Sequence, residues 1–125
     1  MNNITEHSLQ KLCVNWMKIQ HRDLCVFAVP NGGKRKNGGY MTAEGMLKGV
    51  SDLVVMLPKG RVLFIELKRP DTKKYNHKTG NWNKVAGGKQ SPEQKEFQEK
   101  AEKLGHTYLL IDTFEDFKKE IEQYV

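Results

Sequence analysis

The sequence has no apolar run approaching the ~18 residues of a membrane-crossing helix. Its opening decapeptide, MNNITEHSLQ, lacks a positively charged stretch leading into an apolar one. Neither a membrane span nor a secretion signal is expected, and the protein is expected to stay inside the cell that makes it. Cysteine is scarce: Cys13 and Cys25 supply neither a disulfide framework nor a zinc motif. Both lie in apolar stretches that suit small core side chains. The histidines, His7, His21, His77 and His106, stand at no ligand spacing, which fits surface or loop positions. Internal repeats and low-complexity segments are also absent.

What is present is a chain of 125 residues, the size of a single domain (1–125) that can close a hydrophobic core without disulfide or metal staples. Twenty-one Lys and Arg oppose fifteen Asp and Glu, for a formal charge of +6. That balance favours an anionic partner such as nucleic acid. Leu9, Leu12, Cys13, Trp16, Met17 and Ile19 recur at helical spacing and predict an amphipathic helix from Ile4 to about Gln20. Cys25 to Val29 reads as a strand stopped by the turn PNGG, after which KRKNGG makes a basic loop and a short helix is expected over Met41 to Leu47.

Two strands follow, Asp52 to Leu57 and Arg61 to Lys68, and then a stretch from Arg69 to Gln90 without periodicity, predicted to be a long loop. That loop holds six basic residues against one acid, Asp71. The next segment has Ser91 as N-cap, Pro92 at the first helical position, Gln94 completing a capping box and Gly105 as the stop. A strand, TYLLI, and a last helix capped by Thr113 complete the chain. The alternation predicts an α/β fold with helices on both faces of a sheet.

Chemistry concentrates in the central hairpin. If Pro58, Lys59 and Gly60 form a three-residue loop, Leu57 pairs with Arg61, and Asp52 falls directly across from Glu66. Directly opposed residues have Cβ atoms about 4.5–5.5 Å apart, and strand alternation puts Lys68 on the same face. Both faces of these strands are otherwise apolar, as in a covered sheet, and a carboxylate buried there without a partner costs several kcal/mol or shifts its pKa. Lys68 offsets one negative charge; Mg²⁺, held by one or two carboxylates together with water and phosphate oxygens, would offset the excess. An ordinary salt bridge at a solvated strand end is the bland alternative. Two further polar residues point at the core. Glu6 lies in line with Leu9 and Cys13, or else caps its helix with Asn3; Gln94 leads a stripe through Phe97, Ala101 and Leu104, or else serves only its capping box with Ser91.

GVSD, followed fourteen residues after its Asp by ELK, with an upstream helical Glu6, a PNGG turn and a downstream SPEQ helix, resembles the VRR-NUC domain of the PD-(D/E)xK nuclease superfamily, over about Ile4 to Asp112. D…ExK alone is common; the ordered set of five elements is specific. The family's Pro-Asp is here Ser51-Asp52, which keeps the carboxylate. The resemblance implies a restriction-endonuclease-like core, a mixed central β-sheet flanked by helices. It further implies that Asp52, Glu66 and the main-chain carbonyl of Leu67 bind Mg²⁺ or Mn²⁺. Glu6 would reach the metal directly or through water, Lys68 would orient or activate the attacking water, and Gln94 would position Lys68 or that water.

Small stand-alone members of the family resemble virus-encoded resolvases, homodimers that cut four-way DNA junctions. The expected activity is therefore that of a Mg²⁺-dependent structure-selective endodeoxyribonuclease, a Holliday-junction resolvase working inside the cell, in the host cytoplasm if virus-encoded. Asn31, Lys34, Arg35, Lys36, Lys73, Lys74, Lys78 and Lys84 are the candidate DNA contacts. Tyr75 and Trp82 either stack on exposed bases or anchor the loop to the protein. The first helix and the Gly39 to Leu47 stretch are candidates for the dimer interface. The rival readings are a monomeric flap- or nick-directed repair nuclease and, in a different class, a non-catalytic nucleic-acid-binding module on a nuclease scaffold.

Overall fold

A computed structural model describes residues 5–30 and 43–125. The expected contacts Asn31, Lys34, Arg35 and Lys36, the PNGG turn beyond Pro30, and the start of the short helix predicted at 41–47 lie outside the described residues. Among the described ones, helix α1 spans Glu6–Gln20, strand β1 Cys25–Ala28, β2 Leu53–Met56, β3 Val62–Leu67, β4 Thr72–Asn76 and β5 Asn81–Val85. Helix α2 (Pro92–Lys103), β6 (Thr107–Ile111) and α3 (Phe114–Tyr124) complete the chain.

Four strands form a mixed sheet in the order β1-β2-β3-β6, antiparallel except for the parallel β3–β6 pair. The parallel pair requires a crossover, and α2 lies on it. Leu9, Cys13 and Met17 of α1 and Phe117 and Ile121 of α3 pack on Leu53, Val55, Leu57, Leu63, Ile65, Leu67 and Ile111, residues of one strand parity and hence one face. The opposite face meets α2, where Phe97 lies edge-on to Phe64 at 5.3 Å between ring centroids. That cover is incomplete: α2 stacks over β3 and β6, while Met56 on β2 remains 50% exposed. The sheet is therefore less enclosed than its two apolar faces imply.

The caps are local sequence effects. Thr5 and Ser8 form a reciprocal box at the start of α1, which begins at Glu6; the alternative pairing of Glu6 with Asn3 lies outside the described residues. Ser91 and Gln94 do the same for α2, as predicted. Thr113 accepts from the Asp116 N–H at the start of α3. Such caps contribute ~1 kcal/mol each. The β2–β3 connection is the three-residue loop expected, closed by the Leu57 N–H donating to the Arg61 carbonyl at 2.9 Å.

Two expectations fail. Residues 69–90 are not one long loop: β4 and β5 pair as a two-stranded hairpin, with Tyr75 opposite Trp82. Its turn is made by polar chemistry, the Asn76 Oδ1 accepting from the Lys78 and Thr79 N–H groups and Gly80 taking a left-handed φ of 72°. Polar strands of this kind give no apolar period to read. Cys25 is also not a core residue. It is exposed on β1 opposite Met56, at the end of the sheet that α2 leaves open, whereas Cys13 is buried and its thiol is pushed up to about 12 by desolvation. A thiol reagent at neutral pH should therefore label one cysteine of the folded protein rapidly, and the second only after denaturation; labelling lost in Cys25→Ser verifies the assignment.

Candidate active site

Asp52 immediately precedes β2, and its own carbonyl accepts from the Val29 N–H at 2.8 Å, which ties it to the end of β1. The β2–β3 register pairs Leu53 with Ile65 and Val54 with Phe64, and the same register carries Asp52 to Glu66. The Asp52 Oδ2 accepts from the Leu67 N–H at 2.8 Å. Glu66 is 1% exposed. Its Oε2 accepts from the Gln94 Nε2 at 3.1 Å and lies 3.8 Å from the Lys68 Nζ, an ion pair too long for a hydrogen bond. Its Oε1 is buried with no hydrogen-bond partner. Each carboxylate is thus fixed through one oxygen, and the Glu66 Oε1 is left uncommitted.

Burial pushes the Glu66 carboxyl up to about 9, reinforced by the adjacent Asp52 carboxyl and by Glu6, against a smaller lowering by Lys68. The Glu66 carboxyl therefore holds its proton well above the usual carboxylate range, because two adjacent carboxylates cannot both ionise cheaply. A divalent cation would meet the same need, since it would offset the charge of both groups and give the Glu66 Oε1 a partner. The donor set of two carboxylates on a sheet end, open to water on the Asp52 side, fits Mg²⁺ or Mn²⁺, with the Leu67 carbonyl as the further ligand the family resemblance implies.

Gln94 serves its capping box and also contacts the site, at Glu66 rather than at the Lys68 that the resemblance implies. Its Oε1 accepts from the Ser91 N–H at 2.8 Å, and its Nε2 reaches Glu66. Glu6 arrives from the opposite side of the sheet. Its Oε1 lies 3.4 Å from the Arg69 N, close to the aliphatic chain of Lys68. It adds charge to the site without making a third member of the Asp52–Glu66 pair; among the described residues no three His, Cys, Asp or Glu side chains gather into a metal-holding cluster. Lys73, Lys74, Lys78 and Lys84 are on the β4–β5 hairpin, away from the carboxylates in sequence and in a separate sheet.

Two glycines escaped notice in the sequence. Gly49, of GVSD, has φ +88°, and a Cβ there would overlap the Glu93 backbone at the start of α2. This close approach brings α2, and with it Gln94, onto the sheet end that carries Asp52. Gly88 packs on the site directly: a Cβ there would stand 2.7 Å from the Glu6 Oε1 and 3.3 Å from the Lys68 Cδ. For Gly49 the signal was its place between a helical stretch and a buried strand, where a turn needs positive φ; Gly88 carried none.

Comparison with known proteins agrees with this architecture. No protein-family model and no curated protein sequence matches the chain. A solved structure described as a VRR_NUC domain protein superposes with a TM-score of 0.69 at 21% identity, covering 98% of this chain and 89% of that one. A second, described as a VRR_NUC domain, gives 0.59 at 23% identity, covering 98% of this chain and 100% of that one. The chain therefore has the VRR-NUC domain fold, a mixed central sheet flanked by helices.

Two outcomes follow from this geometry. Gly49→Ala should destabilise the protein by at least about 2 kcal/mol through left-handed strain and overlap with α2, seen as a lower denaturation midpoint. The folded-state pKa of Glu66 lies above its ordinary value of 4.5, so its contribution to stability is full below pH 4.5 and is lost as pH rises towards 9. In EDTA, the Tm should fall by roughly 5 °C or more over that range; Glu66→Gln should flatten the slope, and Mg²⁺ or Mn²⁺ should restore the wild-type Tm at pH 8.

Proposed function

We propose that this protein is a metal-dependent, structure-selective DNA endonuclease that hydrolyses phosphodiesters, acting as a homodimer on four-way junctions. The observation that carries the hydrolytic reading is the buried, partnerless Oε1 of Glu66 beside the Asp52 carboxylate. A protein gains nothing in stability from such a pair, and a cation shared with a phosphate gives it a use. The junction and dimer preferences rest on the family resemblance of the sequence. They are consistent with two-fold pairing of two sites for two symmetric incisions.

Bound between Asp52 and Glu66, Mg²⁺ or Mn²⁺ would supply a Lewis acid that makes water nucleophilic at neutral pH and offsets charge on the phosphate. The residues of the chain do the rest. Glu66, held by Gln94, keeps a fixed direction. Lys68 is mostly buried and only loosely paired with Glu66, so its ammonium is free to hydrogen-bond the attacking water and to stabilise the charge developing in line with it. Glu6, which accepts from the Arg69 N–H, adds negative charge on that side of the site. The hairpin lysines Lys73, Lys74, Lys78 and Lys84 supply phosphate contacts that orient the duplex without reading sequence.

Synthetic four-way junctions, flaps and blunt duplex incubated with Mg²⁺ or with EDTA test the proposal. Cutting should require the metal, favour the junction and vanish in Asp52→Asn. Lys68→Ala should lower turnover by about 100-fold or more while changing junction affinity by no more than about threefold; equal losses of both would remove its role at the reacting centre. Size-exclusion mass at twice the chain weight is expected, and a monomer that prefers flaps would replace the resolvase reading with that of a repair nuclease.

A further inference from the structure

The β4–β5 hairpin is built unlike the rest of the protein. It pairs with no strand of the main sheet. It is held at its root by the Arg69 guanidinium on the Ala86 carbonyl, by the Gly87 N–H and the Lys84 ammonium on Asp71, and by the Gly88 N–H on the Arg69 carbonyl. A two-stranded hairpin without a core is marginal in water, so its side chains must be accounted for by something besides folding.

Tyr75 and Trp82 are directly opposed in the register, with ring centroids 5.3 Å apart. The pair does not bury itself: Trp82 is 63% exposed and Tyr75 38%. Among the described residues their ring partners are each other and His77. Neither ring stacks on an aromatic ring of the main sheet or its helices among the described residues. Two residues along on the same face, Lys73 stands directly opposite Lys84. Like charges across a ladder are unfavourable; Lys84 is partly offset by Asp71 at 2.9 Å, while Lys73, Lys74 and Lys78 meet no carboxylate among the described residues. An exposed aromatic pair beside unneutralised lysines matches a nucleotide, which has a π face for the rings and a phosphate for the ammonium groups.

We infer that the Tyr75–Trp82 face of the β4–β5 hairpin is a stacking platform for unpaired nucleotides of the DNA substrate, with Lys73 and Lys84 placed to take the adjoining phosphates. The inference rests on DNA being the substrate, and it deepens that reading by assigning recognition of unpaired bases to the hairpin. Such a platform tolerates any base, since every base offers a π face. It favours forks, flaps and open junction centres over intact duplex.

The test is binding in EDTA, where cutting plays no part, to fluorescein-labelled blunt duplex and to the same duplex with a single-stranded arm. The wild-type protein should hold the armed probe more tightly and lose indole emission on binding it, a loss absent in Trp82→Phe. Trp82→Leu, which keeps an apolar cross-strand contact with Tyr75, should weaken the armed probe by about tenfold and the blunt one by less than about twofold. Trp82→Phe should retain most of the difference. The inference is overturned if Trp82→Leu binds the armed probe like wild type, or loses both probes equally. Quenching without metal-dependent cutting on any substrate would remove the hydrolytic reading and leave this one standing; cutting without quenching would remove this one alone.

Discussion

Two carboxylates held together at the covered end of a β-sheet are the constraint on which the rest of this structure turns. Asp52 and Glu66 are brought face to face by strand register, and Glu66 is sealed from water. In a medium of low effective dielectric such a pair repels unless a proton or a cation joins it. The surroundings relieve the repulsion only in part. Lys68 stands 3.8 Å off, and Gln94 donates to the one oxygen already facing the ammonium.

Several features that look purely structural converge on that pair. The capping box of α2 fixes the Gln94 amide so that one end holds the helix start and the other holds Glu66. Thr5 and Ser8 cap α1 and so leave Glu6 free to project towards Lys68 and Arg69. Gly49 allows α2 to close on the strand end, and Gly88 leaves space beside the Glu6 Oε1 and the Lys68 Cδ that a Cβ would fill. Helix capping contributes about 1 kcal/mol wherever it occurs; here the same hydrogen bonds also aim the side chains of the site.

The central hairpin was legible because two local rules compound. A three-residue loop fixes register, and the two-residue period of a strand fixes which side chains share a face; Asp52, Glu66 and Lys68 followed. The caps of α2 and α3 were legible for the same reason, being set within four residues of chain. The second hairpin was not, since TKKYN and NWNKV carry no apolar alternation, and what pairs them is a polar turn at Asn76 and one aromatic pair. The exposure of Cys25 was equally hidden, because it depends on how far α2 extends over the opposite face.

Local sequence sets the helices, the strands of the main sheet, the register of β2 on β3 and the identity of the charged residues, since each of these depends on interactions between near neighbours in the chain. Tertiary structure decided which of those residues meet: Gln94 with Glu66 across 28 positions, Glu6 with Arg69 across 63, and the Glu66 Oε1 left without a partner. These are matters of packing distance and exclusion of water. No local pattern encodes them, because burial belongs to the assembled layers and not to any one strand or helix.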